Sequence, residues 1–144
     1  MARSLVVDDE EGIRRVLRQL LEYEGHEVRV ASGGGEALSA FAEVRPDLTF
    51  LDVKMARMDG LEVLGRLREQ DPTAVIVMIS GHGTIETAVE ATRRGAYDFL
   101  EKPLDTDRIL VTIRNALQHR GLAQENARLR GQIESRYEIV GGSS

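Results

Sequence analysis

The chain has 144 residues, of which 42% are hydrophobic, so it can bury one sizeable core but is too short for two ordinary domains. Its net charge of -5 argues against a nucleic-acid-binding surface in this segment, because neutralising phosphates requires a basic face. The lack of cysteine excludes disulfides and thiolate metal sites, and without a signal-peptide pattern or a run of about 18 apolar residues we expect a soluble cytoplasmic protein.

Apolar runs that alternate with helical patterns predict five strand–helix units. The predicted strands lie at 5–7, 28–30, 48–51, 74–79 and 97–100. Apolar residues recur at helical spacing over 13–21, 36–44, 61–67, 85–93 and 109–117. Each connection is long enough for a crossover helix, so we predict an α/β fold with a doubly wound parallel sheet and helices on both faces.

The pattern changes after Leu117, where the chain becomes charged and poor in apolar residues. We divide the chain into a domain at 1–120, a linker helix at 121–136 and a tail at 137–144. The linker is either a solvated helix or a short two-stranded coiled coil. In the coiled-coil interpretation, the a and d positions are Leu122, Asn126, Leu129 and Ile133.

Polar side chains follow the strands at the edge where parallel strands end together. They are Asp8 and Asp9 after the first strand, Asp52 after the third, Ser80 after the fourth and Lys102 after the fifth. Clustered carboxylates repel one another and need a cation, and a set of oxygen ligands suits Mg²⁺. The pattern indicates phosphoryl chemistry with Asp52 as the nucleophile and with Ser80 and Lys102 holding phosphate oxygens.

Each of these residues has a simpler explanation when taken alone. An aspartate before a helix is commonly an N-cap, a serine after a strand is commonly a turn residue, and a lysine is commonly a surface cation. Their coincidence at successive strand ends favours the functional interpretation. Lys54 and His82 flank the direction from which water would reach a phosphoryl group on Asp52, so both are predicted to tune its hydrolysis. We interpret His26 as a surface or hydrogen-bonded histidine.

Four stretches together resemble the receiver domain of two-component response regulators, over residues 1 to about 120. They are Val-Val-Asp-Asp-Glu at 6–10, Leu-Asp-Val-Lys-Met-Ala-Arg-Met-Asp-Gly at 51–60, Ile-Ser-Gly-His-Gly at 79–83 and Asp-Phe-Leu-Glu-Lys-Pro at 98–103. The resemblance implies a flavodoxin-like sheet of order 2-1-3-4-5 and a sensor histidine kinase as the phosphoryl donor. Ala56 departs from the family, which usually has proline there.

The resemblance also assigns roles to individual residues. It implies that Asp52 is the phosphoacceptor and that Asp8, Asp9 and the backbone carbonyl of Lys54 bind Mg²⁺ with it. Ser80 and Lys102 become the switch and phosphate-contact residues. The remaining two implications are that Phe99 is the aromatic whose rotamer reports the state and that the Lys102–Pro103 bond is cis.

The stretches at 80–89 and 95–103 are similar to those of NtrC-like, NtrX-like and DctD-like activators in particular. In that group a linker leads to an AAA+ ATPase that activates sigma-54 promoters and then to a DNA-binding domain, and Glu138 to Ser144 resemble the beginning of that ATPase. We therefore expect a homodimer formed through the fourth and fifth units and the linker helix, with phosphorylation changing its packing. No membrane partner and no direct nucleic-acid contact by this segment are expected.

Three alternatives remain. A phosphatase of the haloacid-dehalogenase type would also combine aspartate, serine and lysine, but it would have a second aspartate where this chain has Lys54. A flavin-binding protein would need hydroxyls and glycines in the acidic loop at 8–11. A degenerate receiver would serve only as a dimerisation module.

Overall fold

The computed structural model of the protein describes residues 2–55 and 58–141, with side chains in the last helix described as far as residue 122 and at 125, 126, 128 and 129. In this part of the chain, strands and helices alternate. The strands are β1 (Arg3–Val7), β2 (Glu27–Ala31), β3 (Leu48–Asp52), β4 (Ile76–Ser80) and β5 (Asp98–Glu101). The helices are α1 (Glu11–Tyr23), α2 (Gly34–Val44), α3 (Gly60–Gln70), α4 (Ile85–Arg93) and α5 (Thr106–Gly141).

The strands form one parallel sheet in the order β2-β1-β3-β4-β5, which confirms the predicted doubly wound fold. From β1 the chain first builds outward to β2 and then crosses to β3 on the other side. This reversal opens a crevice between the carboxyl ends of β1 and β3, where such sheets place their binding sites. Asp8 and Asp52 lie on either side of that crevice.

Alternating residues of the central strands enter two separate cores. In β4, Ile76 and Met78 pack in the core that includes α2 and α3, whereas Val77 and Ile79 pack in the core that includes α1 and α5. Every residue of β3 and β4 is buried, as expected for strands covered by helices on both faces.

Some element boundaries differ from the predicted ones. The fourth strand begins at Ile76 rather than at Ala74, and the second helix begins at Gly34 rather than at Glu36. An apolar pattern reports burial, whereas an element begins where backbone hydrogen bonding begins, so the two need not coincide. Short polar side chains mark other starts, because Asp59 caps α3 and Thr84 caps α4.

The last helix runs without a break from the core-packed part, through the expected linker, to Gly141. Leu122 and Leu129 are exposed, so this part of the expected a and d stripe is accessible. The side chain of Ile133 lies outside the described ones. The divisions at residues 120 and 136 stay predictions, because no break in the helix marks them. None of the helices in the described ranges combines the length and apolarity needed to cross a membrane.

His26 is buried at the amino-terminal edge of the sheet, so of the two alternatives offered for it the hydrogen-bonded one applies. Its Nδ1 lies 2.5 Å from the Ser4 hydroxyl, and its Nε2 is buried without a hydrogen-bond partner among the described residues. Burial lowers the pKa of His26, although the carboxylates of Asp47 and Glu24 act in the opposite direction.

A lowered histidine pKa makes the folded state bind a proton less readily than the unfolded state, so stability is lost as the pH falls through the ordinary histidine pKa of 6.5. As the pH falls, we expect this one group to lower the free energy of unfolding by at most about 1.4 kcal/mol per pH unit. Urea unfolding across about pH 5 to 8 should show that contribution disappearing in His26→Gln.

The matched control is His119→Gln, because His119 is exposed and lies outside the core, with its ring tilted against that of Tyr97 at 4.8 Å between the ring centroids. This variant should keep the pH dependence of the parent. An unchanged slope in His26→Gln would show that the buried ring does not titrate in this range.

Candidate functional site

The predicted site residues lie together at the carboxyl edge of the sheet. Asp8 follows β1 and its backbone N–H donates to Ala31 of β2 at 3.1 Å. Asp52 and Ser80 are the last residues of β3 and β4, and the backbone N–H of Lys102, just after β5, donates to the Ser80 carbonyl at 2.8 Å. The strand register therefore fixes where each of these side chains begins.

Lys102 is the cation at the centre of the site, and its side chain is 14% exposed. Its Nζ lies 3.2 Å from Asp8 Oδ2, 3.3 Å from Glu10 Oε1 and 3.7 Å from Asp52 Oδ2. Glu10 was not among the predicted site residues. The sequence signal for it is weak, because an exposed glutamate before a helix is common on any protein surface.

Burial and mutual repulsion make the two inner carboxylates costly to ionise. Burial, followed by the charge of Asp8, raises the pKa of Asp52 to about 6, although Lys102 acts in the opposite direction. Burial also raises the pKa of Asp8. Burial alone would lower the pKa of Lys102, but the charges of Asp8 and Asp52 outweigh it and the pKa is raised. Lys102 therefore stays charged, but its single positive charge does not offset the two neighbouring carboxylates.

The donor set fits a hard divalent cation. Oxygen atoms of Asp8, Asp9 and Glu10 lie within 4.8 Å of one another. Asp8 Oδ2 is fully buried, and it pairs with the Lys102 ammonium at 3.2 Å. Lys102 is shared with Glu10 and Asp52, so a divalent cation would offset the remaining negative charge. Asp52 borders this group through its contact with Lys102.

The other side chains on the rim are held by their own loops. The Ser80 hydroxyl accepts a hydrogen bond from the backbone N–H of His82 at 3.2 Å. Asp52 Oδ1 accepts one from the backbone N–H of Lys54 at 3.3 Å, and the Lys54 side chain is exposed. Ser80 and Asp52 are thus each tied to the residue two positions further along.

Phe99 of β5 lies against the loop that follows Ser80. A Cβ atom placed on Gly83 would come within 2.8 Å of the Phe99 ring, so the ring occupies space that only a glycine leaves free. The ring is partly buried on the core side that includes Met55 and Ala96.

The Lys102–Pro103 peptide bond is cis, as expected. Ala56, the position that departs from the family pattern, lies outside the described residues.

Gly60, the first residue of α3, packs directly against the backbone that carries Asp52. Its N–H donates to the Val53 carbonyl at 2.8 Å, and a Cβ at this position would lie 2.1 Å from the Asp52 carbonyl oxygen. A side chain at residue 60 could be accommodated only by moving the end of β3. Helix α3 and the end of β3 are therefore in backbone contact.

Comparisons with known proteins agree with this arrangement. The family model described as the response regulator receiver domain matches residues 4–114. The nitrogen assimilation regulatory protein NtrX of Azorhizobium caulinodans is 44% identical over 142 residues, a match that covers 97% of this chain and 31% of that protein. The chain therefore spans less than half the length of the curated relatives it matches.

Two solved structures share the fold. The crystal structure of NtrX from Brucella abortus in complex with ATP matches with a TM-score of 0.83 and 47% identity, covering 89% of this chain and 29% of that one. The solution structure of the beryllofluoride-activated NtrC4 receiver domain dimer matches with a TM-score of 0.79 and 41% identity, covering 83% of this chain and 99% of that one.

The contact of Gly60 predicts that Gly60→Ala destabilises the protein. We expect a loss of about 1 to 3 kcal/mol in the free energy of unfolding, because the added methyl group overlaps main-chain atoms. The matched control is Gly65→Ala in the same helix, where a Cβ meets nothing within 4 Å. That change should stabilise the helix by up to about 1 kcal/mol. Urea unfolding of the two variants measures both effects, and equal stabilities would contradict the backbone contact.

Proposed function

We propose, since this chain belongs to the response regulator receiver domain family, that it is a cytoplasmic switch controlled by phosphorylation of Asp52. The observation that carries the proposal is a buried carboxylate at the end of β3 that faces both Asp8 and Lys102. The chain acts as a phosphoacceptor rather than as a phosphatase, because Lys54 stands where a phosphatase of the haloacid-dehalogenase type would have its acid.

In the proposed reaction, a carboxylate oxygen of Asp52 attacks the phosphorus of a phosphohistidine on a sensor kinase. The P–O bond forms as the P–N bond breaks, and the electron pair of that bond returns to the imidazole nitrogen. A pKa of about 6 leaves Asp52 mostly ionised at neutral pH and therefore nucleophilic. Lys102 Nζ, at 3.7 Å from Asp52, is close enough to move onto a phosphoryl oxygen.

Asp8, Asp9, Asp52 and the backbone carbonyl of Lys54 would hold Mg²⁺. The buried Asp8 carboxylate, which shares the single Lys102 ammonium with Glu10 and Asp52, supports this assignment. Glu10 lies close enough to Asp8 and Asp9 to contribute as well. When bound, the ion supplies the positive charge that the carboxylates and an incoming phosphoryl group require.

The switch follows from two contacts. The Ser80 hydroxyl accepts a hydrogen bond from the backbone N–H of His82 and can donate its own proton to a phosphoryl oxygen, so a movement of Ser80 toward that oxygen moves the loop that is tied to it. Phe99 rests on Gly83 of that loop, so the ring must move when the loop moves. A close-packed aromatic side chain has few alternative positions, so a small shift becomes a change of the surface formed by α4, β5 and α5.

The length of the relatives indicates a further domain in the full protein. The match to NtrX covers only 31% of that protein, and the sequence resembles sigma-54 activators. We therefore propose that α5 continues into an AAA+ ATPase and a DNA-binding domain, and that phosphorylation controls that ATPase through α5.

We further propose a homodimer formed through α4, β5, α5 and the linker stripe. Ile85 is 85% exposed on α4, and Val89 and Val111 are each 52% exposed on α4 and α5. Leu122 and Leu129 extend this apolar surface along the linker. A similar receiver is described as a beryllofluoride-activated dimer, which supports the same arrangement here.

The first test is phosphorylation by acetyl phosphate with Mg²⁺, followed by mass spectrometry. We expect the parent to gain the mass of one phosphoryl group and Asp52→Asn to gain none, because Asp52 is the last residue of β3 and its carboxylate faces Lys102. The control Asp98→Asn, whose side chain pairs with Arg108, should be phosphorylated like the parent.

The same preparation tests Lys54 and His82. Their side chains are expected to change the rate at which water removes the phosphoryl group, so Lys54→Ala and His82→Ala should lose the added mass at rates that differ from that of the parent.

Phosphate uptake by Asp52→Asn would refute the phosphoacceptor assignment. Failure of the parent to bind beryllofluoride with Mg²⁺ would identify a degenerate receiver instead.

The second test is sedimentation of the parent with and without beryllofluoride and Mg²⁺. We expect a dimer whose stability changes on activation. Ile85→Glu should weaken it, because a charge would be buried at the apolar surface. Tyr23→Glu, at a 79% exposed position on α1, is the matched control and should not. A monomer in every condition, or equal effects of both variants, would contradict the proposed interface.

A further inference from the structure

Arg120 is a buried arginine at the point where α5 leaves the body of the domain, and only 8% of its surface is exposed. Its guanidinium donates to Asp71 Oδ2 at 2.9 Å and to Thr73 Oγ1 at 2.8 Å, and its Nε lies 3.9 Å from Asp47 Oδ1. Asp47 precedes β3, while Asp71 and Thr73 precede β4. One side chain of α5 therefore contacts two loops at the edge of the sheet opposite Asp52.

The partners of Arg120 are themselves fixed in place. Asp71 Oδ1 accepts hydrogen bonds from the backbone N–H and from the hydroxyl of Thr73, at 2.9 and 2.7 Å. Burial alone would raise the pKa of Asp71, but the bonds from Thr73 and Arg120 outweigh it and the pKa is lowered. The rigid planar guanidinium thus meets a carboxylate that already points toward it.

Arg120 also ends the inward-facing side of α5. Ile109, Ile113 and Ala116 are buried in the core, and Arg120 follows at the same helical spacing. Beyond it the described side chains are exposed, among them Leu122 at 60%. Arg120 is therefore the last described side chain through which the body of the domain contacts this helix.

We propose that Arg120 is the anchor that fixes the direction of the linker helix relative to the receiver. Apolar contacts such as that of Ala116 hold the helix on the core but do not by themselves fix the direction of the segment beyond them, because the hydrophobic effect is not directional. A guanidinium that is hydrogen-bonded to Asp71 and Thr73 on one loop and ion-paired with Asp47 on the other restricts both rotation and tilt. With this anchor, the part of α5 after residue 120 moves together with the body of the domain as a rigid extension.

The anchoring role of Arg120 is independent of the proposed function. Only the claim that a phosphorylation signal passes along α5 rests on that function. The anchor lies at the amino-terminal edge of the sheet and the phosphoryl site at the carboxyl edge, so the two can be changed separately. Loss of the anchor should leave phosphorylation of Asp52 intact while uncoupling the linker helix from the domain.

The experiment measures the distance between two spin labels. The chain has no cysteine, so Glu69→Cys on α3 and Glu125→Cys on the linker give a unique labelled pair at exposed positions. Labelled protein is diluted with unlabelled protein so that only distances within one chain contribute. The pulsed electron resonance distribution is recorded for this parent, for Arg120→Met and for Thr73→Val, with and without beryllofluoride and Mg²⁺.

We expect Arg120→Met to broaden the distance distribution about twofold, because methionine fills the space without the directional bonds. Thr73→Val removes one of the two hydrogen bonds of Arg120, together with the hydroxyl bond that orients Asp71, and should broaden the distribution less. The matched control is Arg114→Met on the same helix, because Arg114 pairs with Glu24 at 2.7 Å but its side chain is 64% exposed. It should keep the parent distribution. All variants should bind beryllofluoride like the parent.

A distribution in Arg120→Met as narrow as that of the parent would overturn the proposal. If Arg120→Met does not fold, an unchanged distribution in Thr73→Val would overturn it equally. Broadening in Arg114→Met of the same size would also overturn it, since any ion pair of α5 would then suffice. If beryllofluoride fails to bind to the parent, the proposed function is refuted while the distance comparison still decides the anchor.

Discussion

The burial of two neighbouring carboxylates, Asp8 and Asp52, is the constraint on which the site depends. Lys102 lies between them, but one ammonium group does not offset both carboxylates and the nearby Asp9 and Glu10. The two carboxylates lie this close because the carboxyl ends of β1 and β3 flank the crevice at which the strand order reverses. Burial, together with the same lack of positive charge, raises the pKa of Asp52 and is the basis on which we propose a divalent cation and a reactive Asp52.

The geometry around these charges is held by the backbone more than by side chains. Asp52 ends a strand that is buried on both faces, and Gly60 seats α3 directly on its carbonyl oxygen. Little room is left for the strand end to relax away from Asp8. The loop after Ser80 is different. It is tied to the Ser80 hydroxyl through the backbone N–H of His82, and the Phe99 ring packs on its Gly83. The rigid and the adjustable parts of the site are therefore adjacent.

The sheet and the main site residues could be predicted because each leaves a local signal. A buried parallel strand is a continuous apolar run, and a polar residue at its end stands out against that run. The contact of Glu10 with Lys102 joins residues far apart in the sequence, and neither residue type is unusual at its position. The burial of His26 depends on packing between the start of β1 and the end of α1, which no periodicity reports.

Arg120 shows where a signal was present but misleading. The apolar spacing of Ile109, Ile113 and Ala116 continues to residue 120, where a charged residue indicates the end of the buried face. In the structure the buried face extends one step further, because Asp71 and Asp47 supply the charge that makes an arginine tolerable there. Helix α5 is thereby fixed to the amino-terminal edge of the sheet, while β5, the strand before it, leads into Lys102 at the other edge. Helix α5 thus connects the edge of the sheet that carries Lys102 with the loops that hold Arg120.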